Sequence, residues 1–157
     1  MFPQIHLKEG DPAPELKLKD QHGNLVWLRD YLSKKWVVLY FYPKDHTPGC
    51  TQEACDLRDN MERLLEHEAQ VVGVSVDDHE SHGRFARKHG LNFPLLADPK
   101  KKVTRSYGAL AFYRLARRMT FIIDQQGTIR KIFPKVNPKT HVEEVLRALQ
   151  ELKQRGA

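Results

Sequence analysis

The sequence predicts an α/β fold: a mixed central sheet with helices on both faces and a β-hairpin at its N-terminal end. Three observations lead there. Trp36–Tyr42 is an unbroken apolar run rich in β-branched and aromatic residues and Val71–Val76 a valine-rich run interrupted only by Gly73 and Ser75, the pattern of strands buried on both faces. Each is followed by a stretch of helical periodicity, so strands and helices alternate. Finally, 157 residues that are 40% hydrophobic and 29% charged suffice for one core, so a single domain over residues 1–157 is expected.

The elements follow in order. Leu16–Lys19 alternates apolar and polar residues, Asp20-Gln21-His22-Gly23-Asn24 reads as a turn, and Leu25–Leu28 completes the hairpin. Trp36–Tyr42 is the central strand, closed by Pro43. From Thr51 the apolar positions Ala54, Leu57, Met61, Leu64 and Leu65 recur at spacings of three and four, which predicts one amphipathic helix running to Glu68. Val71–Val76 is the second buried strand, and His79–His89 is a helix that Gly90 terminates. Short strands at Phe93–Leu96 and Met119–Ile123, a turn at Asp124–Gly127 and a strand at Thr128–Phe133 come next, the last pair forming an antiparallel hairpin. A helix from Thr140 to Lys153 closes the chain.

Composition excludes several classes of function. No apolar run approaches the roughly 18 residues of a membrane span. Met1–His6 lacks the basic and apolar regions of a secretory leader, so a cytoplasmic protein with no membrane partner is expected. A net charge of +6 and a pI near 9.4 would suit nucleic acid. The basic residues are scattered, however, and Lys100–Lys102 and Arg114–Arg118 lack interleaved aromatic platforms, so they read as solvated surface and no nucleic-acid partner is expected. Zinc-finger spacing, a Walker loop and a dinucleotide glycine motif are missing from the sequence.

Chemistry concentrates at the two cysteines, Cys50 and Cys55. Cys50 lies just beyond the C-terminal end of the central strand, where open α/β sheets place their ligand crevice. Thr47 suits an N-cap and Pro48 the first helical position, which puts Cys50 in the first turn, facing the positive end of the helix dipole. A free thiol of pKa about 8.5 is mostly protonated at neutral pH. Bringing one below about 6 takes roughly 3.5 kcal/mol, more than the 0.3–2 kcal/mol or so of a helix terminus, so a cation must help.

Residues i and i+5 of a helix lie about 8–9 Å apart and point in different directions, beyond the roughly 7 Å reach of a disulfide. If Cys50 and Cys55 pair, the first turns of this helix must unwind, which Gly49 makes less costly. Two plainer readings stand beside that redox switch. The cysteines can be small core residues, or with His46 they can be metal ligands.

The segment Tyr40-Phe41-Tyr42-Pro43-Lys44-Asp45-His46-Thr47-Pro48-Gly49-Cys50-Thr51-Gln52-Glu53-Ala54-Cys55 resembles the active-site segment of the peroxiredoxins, in particular the bacterioferritin comigratory protein or Q subfamily. Pro43, Thr47 and Cys50 match the Pro-x-x-x-Thr-x-x-Cys core, and Cys50 and Cys55 the subfamily's further spacing. Likeness continues through Gly10–Pro14, Val74–Asp77, Phe93–Asp98, Tyr107-Gly108, Arg118–Asp124 and His141–Leu149, nearly the whole chain. The resemblance implies a thioredoxin-like fold and a thioredoxin-dependent thiol peroxidase, monomeric and without cofactor, that reduces hydrogen peroxide and alkyl hydroperoxides.

By the same resemblance Cys50 is the peroxide-attacking thiol and Cys55 the resolving thiol, joined afterwards in an intramolecular disulfide. Thr47, Pro43 and Arg118 surround the peroxide, and Glu53 orients Arg118. Arg118 supplies the missing cation, and the Thr47 hydroxyl accepts from peroxide and donates to sulfur. Arg118, not Arg117, stands two residues before Thr120-Phe121, and a one-residue slip would turn it to the other face. Tyr40, Tyr42 and Trp36 read as packing. The rivals on the same fold are a thiol–disulfide oxidoreductase and a redox-sensing binding module. One departure concerns residues 109–117, shorter than in many relatives and with Ala116-Arg117 where Pro-Gly often stands. Leu110, Phe112, Tyr113 and Leu115 read as exposed there, and three readings stand for them: a preference for bulky hydroperoxides, a self-contact, or plain internal packing.

Overall fold

A computed structural model describes residues 6–155. Its seven strands form one sheet in the order β2-β1-β5-β4-β3-β6-β7. These are β1 (Lys17–Lys19), β2 (Leu25–Trp27), β3 (Trp36–Phe41), β4 (Ala69–Ser75), β5 (Leu95–Ala97), β6 (Met119–Ile123) and β7 (Ile129–Phe133). The β3, β4 and β5 pairings are parallel; the hairpin β1–β2, its link to β5, and β3–β6–β7 are antiparallel, so the sheet is mixed as expected.

All six residues of β3 are buried, and their alternation divides the core. Trp36, Val38 and Tyr40 pack with α1 (Pro48–Asp59), α2 (Met61–Glu66), α3 (His79–His89) and α5 (His141–Arg155). Val37, Leu39 and Phe41 face a second core closed by the hairpin, a 3-10 turn at Leu28–Asp30 and the short helix α4 (Lys102–Ser106). Helices therefore lie on both faces, but the long ones share one. No helix among the described residues is long and apolar enough to cross a membrane.

Several boundaries differ from the sequence reading. The helix expected as one piece over Thr51–Glu68 starts at Pro48 and is broken at Asn60 (φ −109°, ψ 17°). There the Asn60 amide donates to the Asp56 carbonyl at 2.8 Å, the local competition with the backbone ladder at which asparagine excels. Leu16 and Leu28 are buried but outside the strands. Glu15 Oε1 takes the backbone N–H of both, at 2.9 Å each, and shares that of Leu28 with the Leu16 carbonyl at 3.3 Å, so a side chain competes with the ladder there. The second buried strand begins two residues early at Ala69, and β5 starts only after Pro94, which has no N–H to give. Helix α4 was not expected; Asp98 Oδ2 accepts from Thr104 N and Oγ1, both at 2.7 Å, and anchors it. Gly90 ends α3 in the left-handed region (φ 58°) as predicted, and Asp78 caps its start by accepting from Ser81 N at 2.8 Å.

Candidate active site

The sheet register places the cation beside the sulfur. β3 ends at Phe41, opposite Met119 of antiparallel β6, so Arg118 stands just beyond the end of β3 where the chain turns toward α1. Side chains alternate along β6, so Arg118 shares a face with Thr120 and Ile122, the face covered by α1 and α5, whereas Arg117 is turned away and exposed. Arg118 Nη2 donates to Cys50 Sγ at 3.4 Å, and Nη1 donates to Glu53 Oε1 at 2.8 Å. Burial alone would lower the Arg118 pKa, but the Glu53 and Cys50 charges outweigh it and hold the guanidinium more firmly protonated.

Cys50 itself is 1% exposed and is the third residue of α1, after Pro48 and Gly49, so its N–H belongs to the first turn whose donors lack i−4 acceptors. Gly49 has a role that flexibility does not describe. A Cβ there would lie 3.1 Å from Arg118 Nη2, tight enough that the guanidinium beside the sulfur would have to give by a few tenths of an ångström.

Thr47 occupies the N-cap position with extended backbone (φ −80°, ψ 152°), but its side chain makes no capping bond. The expectation of a side-chain cap, and of a hydroxyl donating to sulfur, is corrected here: Thr47 Oγ1 donates to the Lys44 carbonyl at 2.8 Å and keeps its lone pairs for another donor. Pro43 is half-buried at the end of β3. Cys55 lies on the same helix, partly exposed, beside a depression lined by His46, Pro48, Gln52, Lys88 and His89. Both thiols are free, and the single intact helix holds them out of bonding reach.

Two buried polar groups went unread in the sequence. Behind Glu53, its Oε2 lies 3.0 Å from His141 Nδ1, and His141 Nε2 lies 2.8 Å from Thr120 Oγ1. Under the loop before Cys50, Asp45 accepts from Tyr42 Oη at 2.6 Å and Ser81 Oγ at 2.8 Å and meets His82 Nδ1 at 2.7 Å, while its N–H donates to Asp77 Oδ2 at 2.9 Å. Burial would raise the Asp45 pKa, but His82, Tyr42 and Ser81 outweigh it and hold it below the usual carboxylate value. Asp45 and His82 are 37 residues apart, so no local spacing signals the pair. Asp45, Asp77 and His82 are close enough to share an ion, yet their donor atoms are already spent on these bonds.

Comparison with known proteins agrees with this geometry: residues 9–132 match the AhpC/TSA family. The chain belongs to that family. Peroxiredoxin Bcp of Bacillus subtilis (strain 168) is 44% identical over 153 residues, spanning 93% of this chain and 97% of the relative. The crystal structure of peroxidoxin BcpB from Mycobacterium tuberculosis superposes with TM-score 0.87 at 33% identity, covering 94% of this chain and 99% of that one. A structure of the Xanthomonas campestris bacterioferritin comigratory protein, described in terms of alkyl peroxide reduction and a trapped intermediate, superposes at 0.82 with 32% identity over 87% and 90% of the two chains. The thioredoxin-like peroxiredoxin fold is thereby established, and with it a thiol peroxidase.

Proposed function

We propose that Cys50 is the thiolate that attacks peroxide and Cys55 the thiol that resolves it, in a single-domain monomer. The observation that carries this is the 3.4 Å bond from Arg118 Nη2 to Cys50 Sγ at the amino end of α1: a guanidinium and a helix amino end both favour negative charge on that sulfur. Peroxide enters between Thr47, Pro43 and Arg118. The Thr47 lone pairs accept the peroxide O–H, Arg118 steadies the oxygens, and Pro43 walls out water.

Sulfur attacks the terminal oxygen in line. An S–O bond forms, the O–O bond breaks, and its electron pair leaves on the distal oxygen, which takes the peroxide proton as water or alcohol. Cys50 is left as sulfenate, which takes a proton from solvent to become sulfenic acid. The first turns of α1 then unwind, the Cys55 sulfur displaces the hydroxyl as water, and the S–S bond closes. A dithiol protein of the thioredoxin class returns both thiols by exchange. Hydrogen peroxide and alkyl hydroperoxides are the substrates, the latter by analogy with the Xanthomonas campestris protein.

The test is stoichiometric. Reduced protein mixed with one equivalent of hydrogen peroxide loses two thiols within seconds. Cys55→Ser stops at a trappable sulfenic acid, and Cys50→Ser does not turn over. Thiol loss no faster than that of free cysteine, or activity surviving in Cys50→Ser, overturns the assignment.

A further inference from the structure

Arg118 serves two anions at once, and how it divides itself between them is a problem the fold has to solve. A carboxylate and a guanidinium prefer to meet fork to fork, through two parallel N–H···O bonds. Left to themselves, Glu53 and Arg118 would pair in that way and draw Nη2 off the sulfur. Instead only Oε1 meets the arginine, at Nη1, and Nη2 reaches Cys50. Oε2 is turned to His141 Nδ1, 3.0 Å away, off the line of an ideal N–H···O bond, and neither atom has a hydrogen-bond partner among the described residues.

We propose that His141 is a positioning residue that holds Glu53 in its one-oxygen grip on Arg118 and so keeps the second guanidinium nitrogen on Cys50. The placement supports this. His141 is the first residue of α5 and only 2% exposed, although the first turn of a helix normally faces water. Its ring spans from Thr120 Oγ1 to Glu53, so β6, α1 and α5 close a circuit of side chains: Arg118, Glu53, His141, Thr120 and back along the strand. A carboxylate only accepts, so Nδ1 is the nitrogen that must carry a proton, while the Thr120 hydroxyl suits Nε2 in either role. The amino end of α5 favours a negative carboxylate at that place. Tyr40 is the other titratable group on this side, its ring centroid 6.0 Å from that of His141; burial, then Glu53 and Cys50, push its phenol well up, so it stays neutral.

This rests on Cys50 being the reacting sulfur, and the experiment separates the two ideas. In the full chain carrying Cys55→Ser, the ultraviolet absorbance of the Cys50 thiolate is followed against pH and the rate with hydrogen peroxide is measured, alongside urea unfolding, for His141→Leu and His141→Asn. His141→Leu is expected to move the Cys50 titration up by about half a unit or more and to slow the peroxide step about tenfold. His141→Asn, whose amide can donate from near the Nδ1 position, is expected to recover to within about threefold. Unchanged titration and rate in His141→Leu, or equal losses in both variants, overturns the proposal. Should His141→Leu fail to fold, Thr120→Val, which removes the hydroxyl that aims the ring, is expected to shift the titration the same way by a smaller amount; no shift overturns it. An unreactive Cys50 in the parent protein sinks the assigned nucleophile instead, while the titration still reads the His141 effect.

Discussion

Two buried polar clusters flank the segment that carries Cys50. Around Asp45 every side-chain polar atom is matched: both carboxylate oxygens accept, and His82 has Asp45 on one nitrogen and the Leu96 carbonyl, at 3.0 Å, on the other. Behind Cys50 the matching is incomplete, with Tyr40 Oη, Glu53 Oε2 and His141 Nδ1 all buried without a hydrogen bond among the described residues. Buried polar groups are nearly always paired, so three exceptions around one sulfur are informative. The Asp45 cluster fixes a loop whose His46 sits in the left-handed region (φ 67°), a conformation unusual for a non-glycine residue. The Glu53 cluster leaves capacity where negative charge gathers. One region holds the backbone; the other serves the chemistry.

That division can be broken in four places. Asp45→Ala strands His82 in the core and should cost about 3–5 kcal/mol in urea unfolding. Because the folded Asp45 pKa is depressed, its contribution is complete above the ordinary value of about 3.9 and is lost as pH falls through the lower folded one. The gap between wild type and Asp45→Ala should therefore narrow in acid, below the ordinary carboxylate pKa. A full-strength gap persisting in strong acid would contradict that.

Arg118→Lys keeps a charge but loses the fork, and cannot bond Glu53 and Cys50 from two nitrogens. Peroxidase kcat/KM should fall about a hundredfold while unfolding moves far less than in the Asp45 variant. Gly49→Ala sharpens the contrast. Alanine is about 1 kcal/mol better than glycine in a helix, yet its Cβ crowds Arg118 Nη2, so stability should hold or rise while the rate of sulfenic acid formation drops roughly tenfold. The smallest effect belongs to Tyr40→Phe. It removes an unpaired hydroxyl and should leave stability within about 1 kcal/mol of wild type, or raise it. A larger loss would mean that the hydroxyl is paired after all.

Much of this was legible in the sequence, for identifiable reasons. The buried strands announced themselves because a strand covered on both faces has no polar positions, and Trp36–Phe41 has none. Cys50, Thr47, Pro43 and Glu53 lie within eleven residues of one another, so their grouping is a local pattern, and Arg118 followed from its place relative to Thr120-Phe121. The rest depended on register or distant packing. His141 meets Glu53 only because α5 returns across the same face as α1, and His82 meets Asp45 only because α3 does. The break at Asn60 escaped because apolar spacing continues undisturbed through Leu57, Met61 and Leu64, while the interruption lies in an asparagine side chain. Phe112 and Tyr113 are exposed as expected, Phe112 at 94%, but Leu110 and Leu115 are half-buried under the Leu110–Ala116 bridge.

The Asn60 break also limits how far disorder can spread. Helical order is lost cooperatively along an unbroken ladder, and α1 is one such ladder while α2 is another. Fraying that begins at Cys50 should halt at Asn60, leaving α2 anchored by buried Leu64 and by the Arg63–Glu143 ion pair at 2.7 Å. Amide exchange in the oxidised protein should accordingly quicken over residues 48–59 and stay slow over 61–66. With that firebreak, each turnover would loosen at most one short helix and spare the face beneath it.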